Sequence, residues 1–484
     1  MKNLSFIVVL ILLSVGCQQN PGKKAVLNGN LKGLQSDTIE ISYHQHDYLE
    51  DPITQKIEPD DNGRFTVSLP VEEIRRFTIK LNPKTSIMAM LMPGWNTTVY
   101  AEVNPEQSLD TLYFEDEGGT ENNLHSKIRT MSFKTYDHLK DQPVEFIQFM
   151  DSLQGEMKMM IAAAEEELDQ QFRTMLDADI QYSTLSRWNA YKQYAGRFNH
   201  DLDQPMVRQF DQRVKADIRL NNPGAMASSF YKSFLEDTLR KFARNQIDIQ
   251  ALREKHTSRE ELSQAYMESL FTHGFNAIDS LIQNPAIKAH SYYHTLLRNM
   301  RIDRLDQLKN IYNERFKAMV NQEDQLQVIE NKLAELEKMT PGNPAPGFTY
   351  PDKDGKIVSL EDLKGRYVYL DIWATWCGPC LAEIPKMKEL HEKYGDEIAF
   401  VSISVDPEKD KWMRFLEEKE LEGYQLYSGD NFQSEIINDY MIQGIPRFVM
   451  IDPEGNLLDV DAPRPSSAQT EKIMQQWMDE ATRV

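Results

Sequence analysis

The chain has 484 residues, with 54 Lys and Arg against 75 Asp and Glu, for a formal net charge of −21. A surface this acidic excludes a phosphate-backbone partner, which needs clustered cations, so no nucleic acid is expected. There are only three cysteines, Cys17, Cys377 and Cys380, which rules out a disulfide-stapled fold; a chain of this length must build its cores from about two to four domains.

At the N-terminus, Lys2 precedes an apolar run from Leu4 to Leu13 that is too short to span a bilayer. Ser14, Val15 and Gly16 lead into Cys17 and then the polar stretch Gln18 to Lys24. This resembles a lipoprotein signal peptide over 1–16, cut before a lipid-bearing Cys17, with 17–24 as a tether. Ser14 stands where that pattern prefers leucine, and an ordinary secretory signal is the alternative. Under both readings Cys17 is not a redox thiol, and export places the other two cysteines where disulfides form. Gln18 after the cysteine points, by analogy, to the outer membrane. No second apolar run reaches spanning length.

Residues 25–115 show period two. Ile39, Ile41 and Tyr43 alternate with polar residues, as do Phe65, Val67 and Leu69. Asp61-Asn62-Gly63 supplies a tight turn, and 75–81, 86–92 and 97–103 read as further strands. The expectation is an antiparallel β-domain of sandwich type. His44 and His46 would share one strand face, but without a third ligand a metal pair is not expected.

Residues 116–339 change period. Leu, Met, Ala, Glu, Lys and Gln dominate, and Phe146, Phe149, Met150 and Leu153 fall on one helical face, as do Leu326, Ile329, Leu333 and Leu336. Several antiparallel helices are expected, broken near Pro205, Pro223 and Pro285. Met157, Met159 and Met160 read as packing residues rather than soft-metal ligands. Thr340-Pro-Gly-Asn-Pro-Ala-Pro-Gly347 then reads as a stiff hinge. No nucleotide loop, metal helix or serine triad appears, so neither cofactor nor metal is expected.

Residues 348–484 hold the chemistry. Tyr367 to Trp373 is a buried-strand run, and Leu381 to Tyr394 has helical spacing. Between them lies Trp376-Cys377-Gly378-Pro379-Cys380. Two thiols at this spacing, ahead of a helix, read as a redox dithiol that closes on itself. The helix N-terminus favours thiolate over thiol, and the thiolate is the nucleophile. Cys377 is expected to be the exposed attacking sulfur beside Trp376, and Cys380 the resolving sulfur one turn inward. Pro379 suits a first helical turn.

Asp371-Ile-Trp-Ala-Thr-Trp-Cys377-Gly-Pro-Cys380 resembles the active site of the thioredoxin superfamily. Cys380-Leu-Ala-Glu383-Ile-Pro385 narrows this to its TlpA/ResA-like thiol-disulfide oxidoreductases, and the likeness runs from about residue 341 to the C-terminus. The resemblance implies an α/β thioredoxin-like domain and a buried carboxylate, Asp371, that shuttles the proton of Cys380. It implies a glutamate, Glu383, near the cysteines, and a cis Pro446 facing them. Ile445 would then offer its backbone edge to an extended client. Arg447 departs from the family's threonine; it would steer acidic partners or cap a strand. The β-domain is similar to a module that precedes thioredoxin domains in such lipoproteins.

Gly378-Pro379 matches reducing members, so reduction of protein disulfides is expected, with a membrane thiol-electron transporter returning electrons by family inference. An oxidase or isomerase of the same fold is one alternative. A lipid-anchored scaffold with a vestigial dithiol is another. A peroxidase is disfavoured, because Leu370 and Ala374 stand where its proline and threonine would be.

Overall fold

The computed structural model describes residues 24–216, 218–320 and 322–481, so the signal segment and Cys17 lie outside the described residues. The described chain divides into two compact units, the first ending at Thr295 and the second beginning at Leu296.

The first unit opens with eight strands: β1 (Lys24–Lys32), β2 (Ile39–Tyr43), β3 (Ile53–Ile57), β4 (Arg64–Pro70), β5 (Arg75–Lys80), β6 (Ser86–Leu91), β7 (Asn96–Val103) and β8 (Leu109–Asp116). They form two four-stranded sheets, ordered β4-β1-β7-β8 and β3-β2-β5-β6. Alternation does the work: in β4, Phe65, Val67 and Leu69 are inward while Arg64, Thr66 and Ser68 face out. Leu27, Leu31 and Val99 from one sheet share a core with Ile41, Phe77 and Ile79 from the other. Gly63 closes the β3–β4 turn at φ +73°, and a Cβ there would sit 1.7 Å from the Leu31 carbonyl oxygen. The antiparallel expectation needs one correction. β1 pairs β7 in parallel, since the chain returns to the first sheet only after building β5 and β6 in the second. His44 and His46 are also not on a strand face; β2 ends at Tyr43 and both lie in the loop beyond it.

Helices follow: α1 (Gly119–Phe133), α2 (Pro143–Ala163), α3 (Gln170–Arg197), α4 (Pro205–Ala216), α5 (Ser229–Asn245), α6 (Ile249–Lys255), α7 (Arg259–Leu281) and α8 (Pro285–Arg298), the unit boundary falling inside α8. Two adjacent asparagines of α1 fasten helices to sheets. The Asn122 side chain bonds both the N–H and the carbonyl of Met90 on edge strand β6. The Asn123 side chain does the same for Phe114 on edge strand β8. One edge strand of each sheet is thereby tied to α1. Met157 is buried among Leu153, Ile161 and Met175, as a packing residue, whereas Met159 is exposed.

The first unit also buries charge. Asp47, in the loop after β2, lies 2.8 Å from Nδ1 of His294 on α8, and Glu236 of α5 lies 3.2 Å from its Nε2. Burial disfavours the imidazolium, but the two carboxylates outweigh it and push His294 up to about 9.

The second unit contains α9 (Leu305–Ile311) and α10 (Glu323–Lys338), the short strands β9 (Thr349–Pro351) and β10 (Ile357–Ser359), then β11 (Tyr367–Trp373), α11 (Gly378–Tyr394), β12 (Ile398–Ser404), α12 (Lys409–Lys419), β13 (Tyr424–Tyr427), α13 (Glu435–Asp439), β14 (Arg447–Ile451), β15 (Leu457–Asp459) and α14 (Ala468–Ala481). The five-stranded sheet has order β13-β12-β11-β14-β15, with β11, β12 and β13 parallel and β14 antiparallel to β11. β12 is buried along its whole length because both faces of the sheet are covered. On one face Val368, Leu370 and Ile372 of β11 join a core with Trp412 and Leu416 of α12. On the other, Tyr369 packs with Leu390 and Tyr394 of α11 and Met474 of α14. Period two puts Asp371 on this second face.

Segment 340–347 is a fastened strap rather than a free hinge. Gly342 and Ala345 donate to the carbonyls of Leu457 and Gly455, and Leu457 donates back to Asn343. Proline leaves few donors there, and those two pair with Gly455 of the β14–β15 turn and Leu457 at the start of β15. Met339 ahead of the strap is part of the core, and Ile302 packs against it.

Candidate active site

β11 delivers the chain to the dithiol and α11 carries it away. Cys377 is the N-cap of α11; it is joined to Cys380 by a disulfide, and its sulfur accepts the Cys380 N–H at 3.2 Å. One of the orphan donors of the first turn therefore points at this sulfur, and at its thiolate after reduction. Both cysteines are buried, at 5% and 4% exposure. The expectation of an exposed Cys377 is thus corrected for the bridged form: both sulfurs sit in the core packed behind the sheet. What distinguishes Cys377 is the cap position, not accessibility.

Beneath α11, Asp371 and Trp373 of β11 line a cavity with Cys380, Glu383 and Ser402. Oδ1 of Asp371 and Nε1 of Trp373 are buried with no hydrogen-bond partner among the described residues. The other Asp371 oxygen has only a 3.5 Å contact from the Ser402 hydroxyl. Burial raises the Asp371 carboxyl; Ser402 opposes this, the Glu383 charge adds to it, and the result is about 8. That value lies close to that of an ordinary thiol, about 8.5, which suits proton exchange with a cysteine.

Glu383 is buried, not a solvated first-turn acid. Ser466 holds it with its backbone N–H at 2.9 Å and its hydroxyl at 3.0 Å, and the Arg464 guanidinium lies 3.9 Å away. Trp376 is 46% exposed and meets the equally exposed Phe432 with ring centroids 6.2 Å apart, giving an apolar rim beside the dithiol. Ile445–Pro446 is a cis bond, followed directly by β14. Arg447 neither caps a strand in solvent nor stands free for acidic partners: it is mostly buried and paired with Asp461.

Three contributors escaped sequence reasoning. Fully buried Asp406 accepts from the Thr375 N–H at 3.0 Å, the Thr375 hydroxyl at 2.7 Å and the Ser404 hydroxyl at 2.7 Å, fixing the turn two residues before Cys377. An acid closing the apolar run 398–405 was the available signal. Ser466 and Phe432 left none, since each reaches the site only through the fold.

The Redoxin family profile matches residues 340–476. Thiol-disulfide oxidoreductase ResA from Bacillus cereus is 31% identical over 144 residues, which cover 30% of this chain and 82% of the relative. The chain belongs to the ResA-like thiol-disulfide oxidoreductases. Thioredoxin-like protein YneN from Bacillus subtilis (strain 168) is 33% identical over 141 residues, covering 28% of this chain and 78% of that protein. The crystal structure of the thioredoxin domain of a thiol-disulfide oxidoreductase from Bacteroides vulgatus is 26% identical, covering 28% of this chain and 97% of that one, with a TM-score of 0.27. As a ResA-like member, this protein is a thioredoxin-like thiol-disulfide oxidoreductase, and the matched region is the one that holds the dithiol.

Proposed function

We propose that this oxidoreductase reduces protein disulfides from a lipid anchor in the cell envelope. The Cys377 thiolate attacks one sulfur of a client disulfide, forming a mixed disulfide and releasing the other client sulfur as a thiolate that takes up a proton. The Cys380 thiolate then attacks the Cys377 sulfur, which releases the reduced client and leaves the Cys377–Cys380 bridge. Two electrons pass from the dithiol to the client. The ionised fraction of Asp371, which grows as pH approaches about 8, accepts the Cys380 proton, and Glu383 raises its basicity. Trp376 and Phe432 receive apolar client residues, and the Ile445 backbone receives the client strand. The observation that carries this reading is the Cys377 sulfur at the α11 cap, bridged to Cys380 above the Asp371 cavity.

The anchor rests on the resemblance of 1–16 to a lipoprotein signal and on Cys17. No helix among the described residues is long and apolar enough to cross a membrane. Reducing direction rests on Gly378-Pro379, and a membrane thiol-electron transporter would restore the dithiol.

Substrate trapping tests the proposal. In the Cys380→Ser chain the client is expected to remain on Cys377 as a mixed disulfide in the native envelope. The Cys377/Cys380 couple is expected near −270 mV; a value near about −120 mV would make the protein an oxidase.

A further inference from the structure

The second unit begins well ahead of the matched region, and its early residues bear on the loop that carries Pro446. The Gln443 side chain donates to the Met300 carbonyl at 3.0 Å. Arg301 reaches Asp461 at 3.4 Å, and Asp461 also pairs with Arg447, the residue directly after Pro446. The loop is thus held by the Met300–Arg301 turn directly at Gln443 and, through the shared partner Asp461, at Arg447 on the other side of Ile445–Pro446. Ile302, next in sequence, packs against the core behind the dithiol, which anchors that turn. Arg447 stands opposite Ile372 in the β14–β11 ladder, one residue from Asp371. A shift of Arg447 would therefore move the client edge relative to the strand that leads to the cysteines.

We propose that Arg301 and Gln443 are positioning residues, fastening the Ile445–Pro446 loop to the segment ahead of the thioredoxin-like domain and so setting the edge on which a polypeptide client is presented. This rests on the reading of that edge as the client site. The client class it favours is an extended peptide, because a small disulfide needs only the dithiol and makes no use of a backbone edge. Arg447 is occupied internally and contributes alignment rather than charge.

The test is steady-state reduction by the full chain, with dithiothreitol as electron donor, of insulin on one hand and glutathione disulfide on the other. The Arg301→Ala/Gln443→Ala chain is expected to show about a three- to tenfold higher KM for insulin, as loss of two partly exposed polar contacts implies. Its kcat on insulin and its turnover of glutathione disulfide are expected to be retained. Arg301→Lys, which keeps a cation opposite Asp461, is expected to restore most of the insulin KM when Gln443 is intact. Equal losses on both substrates would reduce the two residues to general structural support and overturn the proposal, as would an unchanged insulin KM. Failure of the underlying reading is separated by Ile445→Pro, which removes the N–H of the edge itself: with glutathione disulfide turnover retained, an unchanged insulin KM in that chain would mean that the edge is not the client site, whatever Arg301 and Gln443 do.

Discussion

Two buried carboxylates, one in each unit, meet opposite treatment. Asp47 in the first unit faces His294 at 2.8 Å, and its loop N–H from Leu49 adds a second contact at 2.9 Å. Asp371 in the second has one oxygen with no partner among the described residues and the other with only a 3.5 Å hydroxyl contact. Burial raises both acids, but His294 reverses the shift at Asp47, whereas Asp371 is left well above the carboxylate range. A paired charge locks a loop to a helix, and its removal leaves its partner stranded. An unpaired acid weakens the fold, and the proton exchange with Cys380 proposed for Asp371 would account for its presence there.

The largest expected effect lies at the sulfur itself. Cys377→Ser should reduce disulfide turnover to background while leaving the melting temperature of the reduced chain within a few degrees, as read by insulin reduction and circular dichroism. Next comes the paired site. His294→Asn should destabilise the first unit by about 3–5 kcal/mol, read by urea unfolding, without changing glutathione disulfide turnover in the folded chain. Because the folded His294 value is raised to about 9, its stabilisation is complete below about 6.5 and is lost as pH climbs through 9. Unfolding of the unsubstituted chain should therefore become easier over that interval, and the Asn variant should lack that contribution.

The unpaired site should behave in reverse. Asp371→Asn should slow formation of the Cys377–Cys380 bridge from the mixed disulfide by about 100-fold, within the range for a lost general base, as measured by stopped-flow tryptophan fluorescence. In the folded state Asp371 keeps its proton up to about pH 8, whereas the unfolded chain loses it near 4. The folded state thus binds more protons between those values, so stability falls as pH rises from 4 to 8. The Asn variant should escape that fall and be the more stable protein above pH 8. If instead it were less stable there, Asp371 would be a structural acid and the contrast with Asp47 would vanish. The smallest effect belongs to Ser466→Ala, which removes one donor from Glu383 but keeps the backbone N–H. About a fivefold slower resolution is expected, the scale of one hydrogen bond to a charged group at a partly exposed site.

Legibility differed across the chain for physical reasons. Alternation at Phe65, Val67 and Leu69 was enough to mark a half-buried strand, because one face meets a core and the other meets water. The parallel pairing of β1 with β7 had no such mark, since side-chain period is the same for either direction. The dithiol was readable from its local spacing ahead of a helix, and Asp371 and Glu383 were named through the resemblance of the motif around it, which is local along β11 and α11. Asp406 and Ser466 were not, because they arrive from the end of β12 and from the loop before α14. The strap at 340–347 read as a hinge because proline and glycine mark turns without saying what their remaining donors bind.

The sequence alone determined a vicinal dithiol at a helix start, an acid inside the preceding strand and a change from period two to period 3.6 near residue 116. These follow from bonded geometry and local periodicity, which need no partner. Only the tertiary structure decided that Asp371 goes nearly unpartnered while Asp47 is paired, that Glu383 is held by Ser466, and that the Met300 carbonyl receives the Gln443 side chain. Each depends on what distant segments bring within a few ångströms: both acids are buried, and a partner within reach, not residue type, is what separates Asp47 from Asp371.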